Sequence, residues 1–150
     1  IPSDIRLSWV QDTIAKIPNF SCKDDEFKLS LPSYTYKSLL HFTQTYPQHS
    51  FGIIMGADNL HGFHTWQNAR ELSELAPLHV YARPGYEKPP EPMPFGANWH
   101  DAPLIDISAT QIRDLLWKGE SINDLVPTEI IEKVRLFFQS KKSDSEIFAF

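Results

Sequence analysis

Apolar residues along this chain switch between helical spacing and short unbroken runs, and the switches mark its elements. From Ile5 to Ile17 they fall on one face, through Trp9 or Val10, Ile14 and Ile17, which predicts an amphipathic helix. Asp4 stands where a cap is needed, and Pro18-Asn19 stops the run. Phe20 to Leu31 carries a weaker pattern that admits a short strand at Phe20–Cys22 or Phe27–Leu29. A second helix is predicted from Tyr36 to Tyr46, with Tyr36, Leu39, Leu40 and Thr43 at helical spacing and Pro47 at its end. Phe51 to Met55 is an unbroken apolar run between turn residues, the pattern of a strand buried on both faces. A helix over Trp66–Leu75 and a strand over Leu78–Ala82 follow. Pro84, Pro89, Pro90, Pro92 and Pro94 then make Arg83 to Ala97 a long irregular loop.

The next segment changes the picture from pattern to chemistry. A short apolar run, Leu104 to Ile107, breaks off at Ser108, and helical spacing takes over at Ile112, Leu115 and Leu116. Ser108 and Gln111 have the spacing of a capping box, which makes Ser108 the expected N-cap. A helix start offers unpaired N–H groups and the positive end of the helix dipole, which suits a phosphate. Arg113 follows one turn later and can add a forked donor to the same anion. An ordinary capped helix with a solvated arginine carries the same pattern. Gly119 is placed to end this helix, and Pro127 to start a last one with Ile130, Ile131, Val134, Phe137 and Phe138 inward. Ser140 to Glu146 is polar and expected to fray, ahead of an apolar Ile147–Phe150 end.

Helices alternating with apolar strands predict an open α/β layer with a mostly parallel sheet. Ligands in such sheets bind at the carboxyl ends of strands. Gly56-Ala57-Asp58 and Ser108 to Arg113 are both expected there.

Composition narrows the function classes. A chain of 150 residues fits one domain, expected over 1–139 with a tail at 140–150. A net charge of −5 argues against a nucleic-acid binder with a basic face, although a few local donors suffice for one triphosphate. The single cysteine, Cys22, excludes an internal disulfide and suits a reducing cytosol. No apolar run has the length of a membrane span, so no membrane partner is expected. The chain opens Ile1-Pro2-Ser3-Asp4 without methionine, which suggests that Ile1 is not the natural start.

Six ordered motifs carry a resemblance: Pro32-Ser33-Tyr34-Thr35, Met55 to Leu60, Phe63-His64-x-Trp66, Arg83-Pro84-Gly85-Tyr86, Ile107 to Arg113, and Leu125-Val126-Pro127. Together they make the chain resemble the bacterial nicotinate-nucleotide adenylyltransferases from about Arg6 to Phe138. The resemblance implies a Rossmann-like nucleotidyltransferase fold, with a mostly parallel sheet flanked by helices. It also implies a reaction in which nicotinate mononucleotide attacks the α-phosphorus of ATP, with Mg2+ on the triphosphate, in the cytoplasm. A homo-oligomer is compatible with it. The family's Gly-x-Phe-x-Pro-x-His-x-Gly-His signature has no counterpart here. The resemblance therefore implies a strand–helix–strand preceding the first helix, no catalytic residue within the given sequence, and no turnover by that sequence alone.

Site residues carry over motif by motif, each with a plain structural alternative. Asp58 would accept hydrogen bonds from ribose hydroxyls, or cap the short segment Asn59–Gly62. Trp66 would stack on the pyridine ring, or sit in the core at a helix start. Tyr34 and Thr35 would hold the nicotinate carboxylate, with Thr35 an equally good N-cap. Gly56, Arg83, Ser108, Thr110 and Arg113 would line the ATP side, Arg83 being equally suited to anchor its loop. His61 and His64 lack a third partner at metal-binding spacing, so no metal site is expected there. His100-Asp101 reads as a solvated pair at a strand start, and Asp24-Asp25-Glu26 as a solvated acidic turn. Two further readings are a phosphopantetheine adenylyltransferase relative and a nucleotide-binding module without catalysis. The missing histidine signature suits the module. Trp66 argues against the phosphopantetheine relative, whose acceptor has no ring to stack.

Overall fold

The computed structural model describes residues 1–147, and Phe148–Phe150 lie outside the described residues. The elements in chain order are α1 (Ser3–Ile14), α2 (Thr35–Thr45), β1 (Ile53–Gly56), α3 (Ala57–Gly62), α4 (Ala69–Leu75), β2 (Leu78–Tyr81), β3 (Asn98–His100), α5 (Ala109–Lys118) and α6 (Ile131–Ile147). Short 3-10 turns fall at Asp25–Lys28, Phe63–Thr65 and Pro94–Gly96. The chain forms two compact units, Asp25–Asp106 and Ile1–Asp24 with the chain from Ile107. Among the described residues no helix is long and apolar enough to cross a membrane.

The Asp25–Asp106 unit is an α/β layer. Its three strands are all parallel in the order β1-β2-β3, as helix–strand alternation predicts. Ile53 pairs with Leu78 and Gly56 with Tyr81, while His79 to Tyr81 pair with Asn98 to His100. Met55, Leu78 and Val80 are buried with Leu39, Leu60, Phe63, Leu72 and Ala76 in one apolar cluster. The opposite sheet face differs from expectation: Ile54, at 79% exposure, is far from buried. Phe51 to Met55 is therefore buried on one face, because these helices cover one side of the sheet.

The strand expected at Leu104–Ile107 is absent, and Leu104 and Ile105 are both exposed. The third strand lies earlier, at Asn98–His100. Its ladder stops where β2 stops, at Tyr81, and Pro103 supplies no N–H to extend it. Thus the Ser108 helix does not follow a strand directly. The strand admitted at Phe20–Cys22 or Phe27–Leu29 is also missing; Asp25–Lys28 is a 3-10 turn instead.

In the other unit, Ile122, Ile131 and Val134 are buried and packed by Trp9, Ile112, Leu115, Leu116, Val126, Ile130 and Phe138. Trp9 meets Phe137 edge-on at 5.7 Å, and Lys133 Nζ donates to Asp12 Oδ2 at 2.6 Å, tying α1 to α6. Gly119 ends α5 in the left-handed region at φ 76°, as expected of a C-terminal glycine. α6 starts at Ile131 rather than at Pro127, whose carbonyl instead accepts the N–H of Ile130 in a turn. It continues to Ile147, past the Ser140–Glu146 stretch where fraying is expected.

Leu72 is fully buried in the first cluster. Leu72→Ala is expected to cost about 2–5 kcal/mol, read as a lower urea midpoint at unchanged m-value.

Candidate functional site

Gly56 ends β1 and Tyr81 ends β2, paired in register. Two residues beyond each stand Asp58 and Arg83, so the register itself brings these side chains together. Arg83 Nε lies 3.7 Å from Asp58 Oδ1, a charge contact longer than a hydrogen bond. That oxygen is itself buried and accepts no hydrogen bond, although both side chains are more than a third exposed. A side chain at Gly56 would run into Asp58 Oδ1 and would stand 3.0 Å from Arg83 Cγ, so any larger residue would have to push these two side chains aside. Asp58 lies inside α3 rather than ahead of it, and the helix has no side-chain cap, which removes the capping alternative. Arg83 takes the loop-anchoring role expected of it, through the charge contact with Asp58 and through its backbone. It sits at the strand end, and its carbonyl accepts the N–H of Tyr86 at 3.1 Å to close a turn through left-handed Gly85. Tyr86 in turn packs edge-on against His61 of α3 at 5.9 Å.

Trp66 does not begin a helix. It is extended (φ −72°, ψ 149°), and α4 starts at Ala69 after left-handed Asn68, a conformation that asparagine tolerates. The indole is half-buried, 5.2 Å from the fully buried Phe63 ring, which also meets Phe95 at 4.9 Å. One part of Trp66 is thus core and the rest is accessible.

Tyr34, not Thr35, is the N-cap of α2, and Thr35 is the first helical residue. Tyr34 has no short oxygen to fold back, so the first turn has no side-chain cap. Lys37 Nζ lies 5.4 Å from the Tyr34 ring centroid, which adds positive charge to the same end. At α5, by contrast, Ser108 Oγ accepts the Gln111 N–H at 3.1 Å as its spacing predicts. Ala109 and Thr110 keep N–H groups with no partner inside the helix. Arg113 folds back to donate to Thr110 Oγ1 at 3.0 Å. It also borders a largely apolar cavity of about 280 Å³ lined by Trp9, Ile112, Val126, Pro127 and Phe138.

Three features escape the sequence. The acidic turn is not simply solvated: Glu26 Oε1 accepts both Ser33 Oγ and Ser38 Oγ at 2.6 Å, and Asp25 accepts the Tyr46 hydroxyl at 3.5 Å. The two serine hydroxyls hold the Glu26 carboxyl below its usual range, against a small opposing effect of burial. A lowered carboxyl pKa stabilises the fold above the unfolded value, and that contribution is lost as pH falls through the folded one. His100 ends β3 and pairs with His79 across the ladder at 2.9 Å, while Asp101 accepts the Trp99 indole N–H at 3.2 Å. His100 and Asp101 are both exposed, as expected of a solvated pair, but they stand at the end of a strand rather than its start, and each has a different partner. Among the described residues no group of three or more metal-ligating side chains assembles.

No protein-family model matches the chain. A Cytophaga hutchinsonii protein named "Probable nicotinate-nucleotide adenylyltransferase" is 39% identical over 129 residues, 86% of this chain and 67% of that one. A Clostridium tetani protein of the same name is 34% identical over 146 residues, 89% of this chain and 73% of that one. The chain belongs to the nicotinate-nucleotide adenylyltransferase family. It spans about two thirds of the length of these relatives, and 65% of the Porphyromonas gingivalis one, to which it is 34% identical. A Plasmodium falciparum nicotinic acid mononucleotide adenylyltransferase, solved complexed with APC, matches at TM-score 0.68 and 18% identity over 91% of this chain and 76% of that one. The same protein complexed with NaAD matches at 0.51 and 20% identity over 67% and 55%. The likeness carries the fold, a Rossmann-like α/β nucleotidyltransferase, as the six motifs imply.

Gly56→Ala is expected to push Asp58 and Arg83 apart and to cost about 1–3 kcal/mol, the range of an overpacked site. Chemical denaturation of the variant reads this cost. Substituting Gly62, which has open space around it, provides the comparison.

Proposed function

We propose that the full-length protein transfers the adenylyl group of ATP to nicotinate mononucleotide, giving deamido-NAD and pyrophosphate in NAD biosynthesis. The observation that carries this reading is the meeting of Asp58 and Arg83 beside Gly56 at the carboxyl ends of parallel strands, in a chain of this family. A phosphate oxygen of the mononucleotide attacks the α-phosphorus of ATP, and the bond to the β-phosphoryl oxygen breaks. No covalent enzyme intermediate is needed, so the protein contributes positioning and charge.

The residues divide this work. The Asp58 carboxylate, more than a third exposed beside Arg83, is an acceptor for ribose hydroxyls, and Gly56 keeps the backbone open beside it. Trp66 offers its accessible part to the electron-poor pyridine ring, with Phe63 supporting it from behind. Tyr34 and Thr35 open a helix start without a side-chain cap, which suits the nicotinate carboxylate. Within its own unit Arg83 offers a cation to a phosphate, and in the other unit the start of α5, with Ser108, Thr110 and Arg113, offers a phosphate helix N–H groups and a guanidinium. Mg2+ accompanies the triphosphate and offsets its charge, held by phosphate oxygens and water. The cytoplasm is the proposed place of reaction.

Pyrophosphate release by the full-length protein with ATP and one acceptor at a time tests the proposal. Turnover is expected with nicotinate mononucleotide and not with phosphopantetheine. No release with the nicotinate nucleotide rejects it.

Trp66→Ala should raise the KM for nicotinate mononucleotide by roughly five- to 150-fold, matching about 1–3 kcal/mol of lost stacking, and leave that for ATP near wild type. An unchanged mononucleotide KM in a folded variant removes the stacking role. Arg113→Ala should lower kcat/KM for ATP, with Arg113→Lys recovering only part, because an ammonium lacks the planar fork. Two variants with wild-type ATP kinetics would make Arg113 a solvated helix residue.

A further inference from the structure

We propose that Glu26 is a positioning residue for the acceptor nucleotide, fixing the start of α2 so that its first N–H groups stay open to the substrate carboxylate. The inference rests on the reading of Tyr34 and Thr35 given above.

One carboxylate oxygen, Glu26 Oε1, receives hydroxyls from both sides of that segment. Ser33 immediately precedes Tyr34, and Ser38 lies one turn into the helix; each donates at 2.6 Å. Ser38 is buried at 7% exposure, the one buried polar residue of the described chain, so its hydroxyl depends on this acceptor. It also lies 3.4 Å from the Tyr34 carbonyl, whose main bond is the Ser38 N–H at 3.1 Å. Positions 33 and 38 are thereby pinned to a single point, with Tyr34 and Thr35 held between them. Ser33 lies one residue before the N-cap Tyr34 of the uncapped first turn. Its bond to Glu26 keeps it engaged elsewhere. The carboxylate itself caps no backbone N–H, and the turn that carries it is tied to the far end of α2 through Asp25 and Tyr46. A second anion at the helix start therefore meets preorganised donors rather than a serine already in place.

The test compares Glu26→Ala, Glu26→Gln and Ser33→Ala in the full-length protein. Nicotinate mononucleotide, nicotinamide mononucleotide and ATP are each varied, and the thermal midpoint of every variant is measured. Glu26→Ala should raise the KM for the nicotinate nucleotide by roughly tenfold, as loss of a charge-assisted hydrogen-bond pair predicts. The KM for ATP and kcat should stay within about twofold, a change of less than half a kcal/mol. The preference for acid over amide should narrow, because only the acid uses the charged helix start. Glu26→Gln keeps an acceptor oxygen and should recover part of the loss. Ser33→Ala should shift the nicotinate KM in the same direction.

An unchanged acid-to-amide preference in Glu26→Ala overturns the inference. So does a parallel loss in both KM values and kcat that follows the thermal midpoint, since that is the mark of a purely structural anchor. Wild-type protein that fails to use nicotinate mononucleotide rejects the proposed function itself. Active wild-type protein with indifferent Glu26 variants rejects the positioning role alone.

Discussion

The pairing of Gly56 with Tyr81 across two parallel strands fixes almost everything that follows in the Asp25–Asp106 unit. Each is the last residue of its strand, so residues two positions further on leave the sheet side by side. Asp58 and Arg83 occupy those positions. A slip of one residue would shift one chain by about 3.3 Å and exchange the faces of every side chain on it. Met55 or Val80, whichever strand slipped, would then leave the apolar cluster, which is why the register holds. The charged pair does not select the register. Burial of the apolar face does, and the pair inherits its geometry.

What the sequence made legible was whatever local chemistry settles. Ser108 caps α5 and Gly119 ends it, because a side-chain oxygen at the N-cap and a left-handed residue past the end are nearest-neighbour requirements. β2 lies within the apolar run that announced it, and β1 overlaps its own run and ends one residue past it, at Gly56. β3 departs from the apolar pattern because a strand needs a neighbour as much as a pattern. Leu104–Ile107 has the better composition, yet the ladder along β2 ends at Tyr81, opposite His100. Trp66 departs from its helical spacing for a related reason. Its helical spacing continues into α4, but Asn68 turns left-handed and delays the helix to Ala69. In the site, the residue types were legible from motifs, whereas the Asp58–Arg83 contact and the Glu26 clamp were not. Partners seven, twelve and twenty-five positions apart leave no periodic trace.

The two helix starts solve the same electrostatic problem differently. An α-helix ends in donors without partners, and a polar side chain or a bound anion can satisfy them. At α5 a serine takes one donor, and Arg113 turns back over the same end through Thr110. At α2 the serine before the helix is held by a glutamate, with a tyrosine at the cap position. Such an arrangement forgoes the roughly 1 kcal/mol that a capping oxygen commonly contributes. A net charge of −5 makes this selective rather than general, since the anion is attracted by local donors and not by a basic surface.

Trp66 shows how binding surface and core can share one residue. Its ring leans on Phe63, which has no solvent exposure and is braced by Phe95 from the proline-rich loop. Phe95 itself adopts a left-handed backbone at φ 55°, a costly conformation for an aromatic residue, and the contact with Phe63 helps offset that cost. The loop that the prolines keep irregular is thus fastened to the core through two rings, and the same rings set the attitude of the indole. A change in the loop at Phe95 would therefore reach Trp66 through packing, with no contact between Phe95 and substrate required.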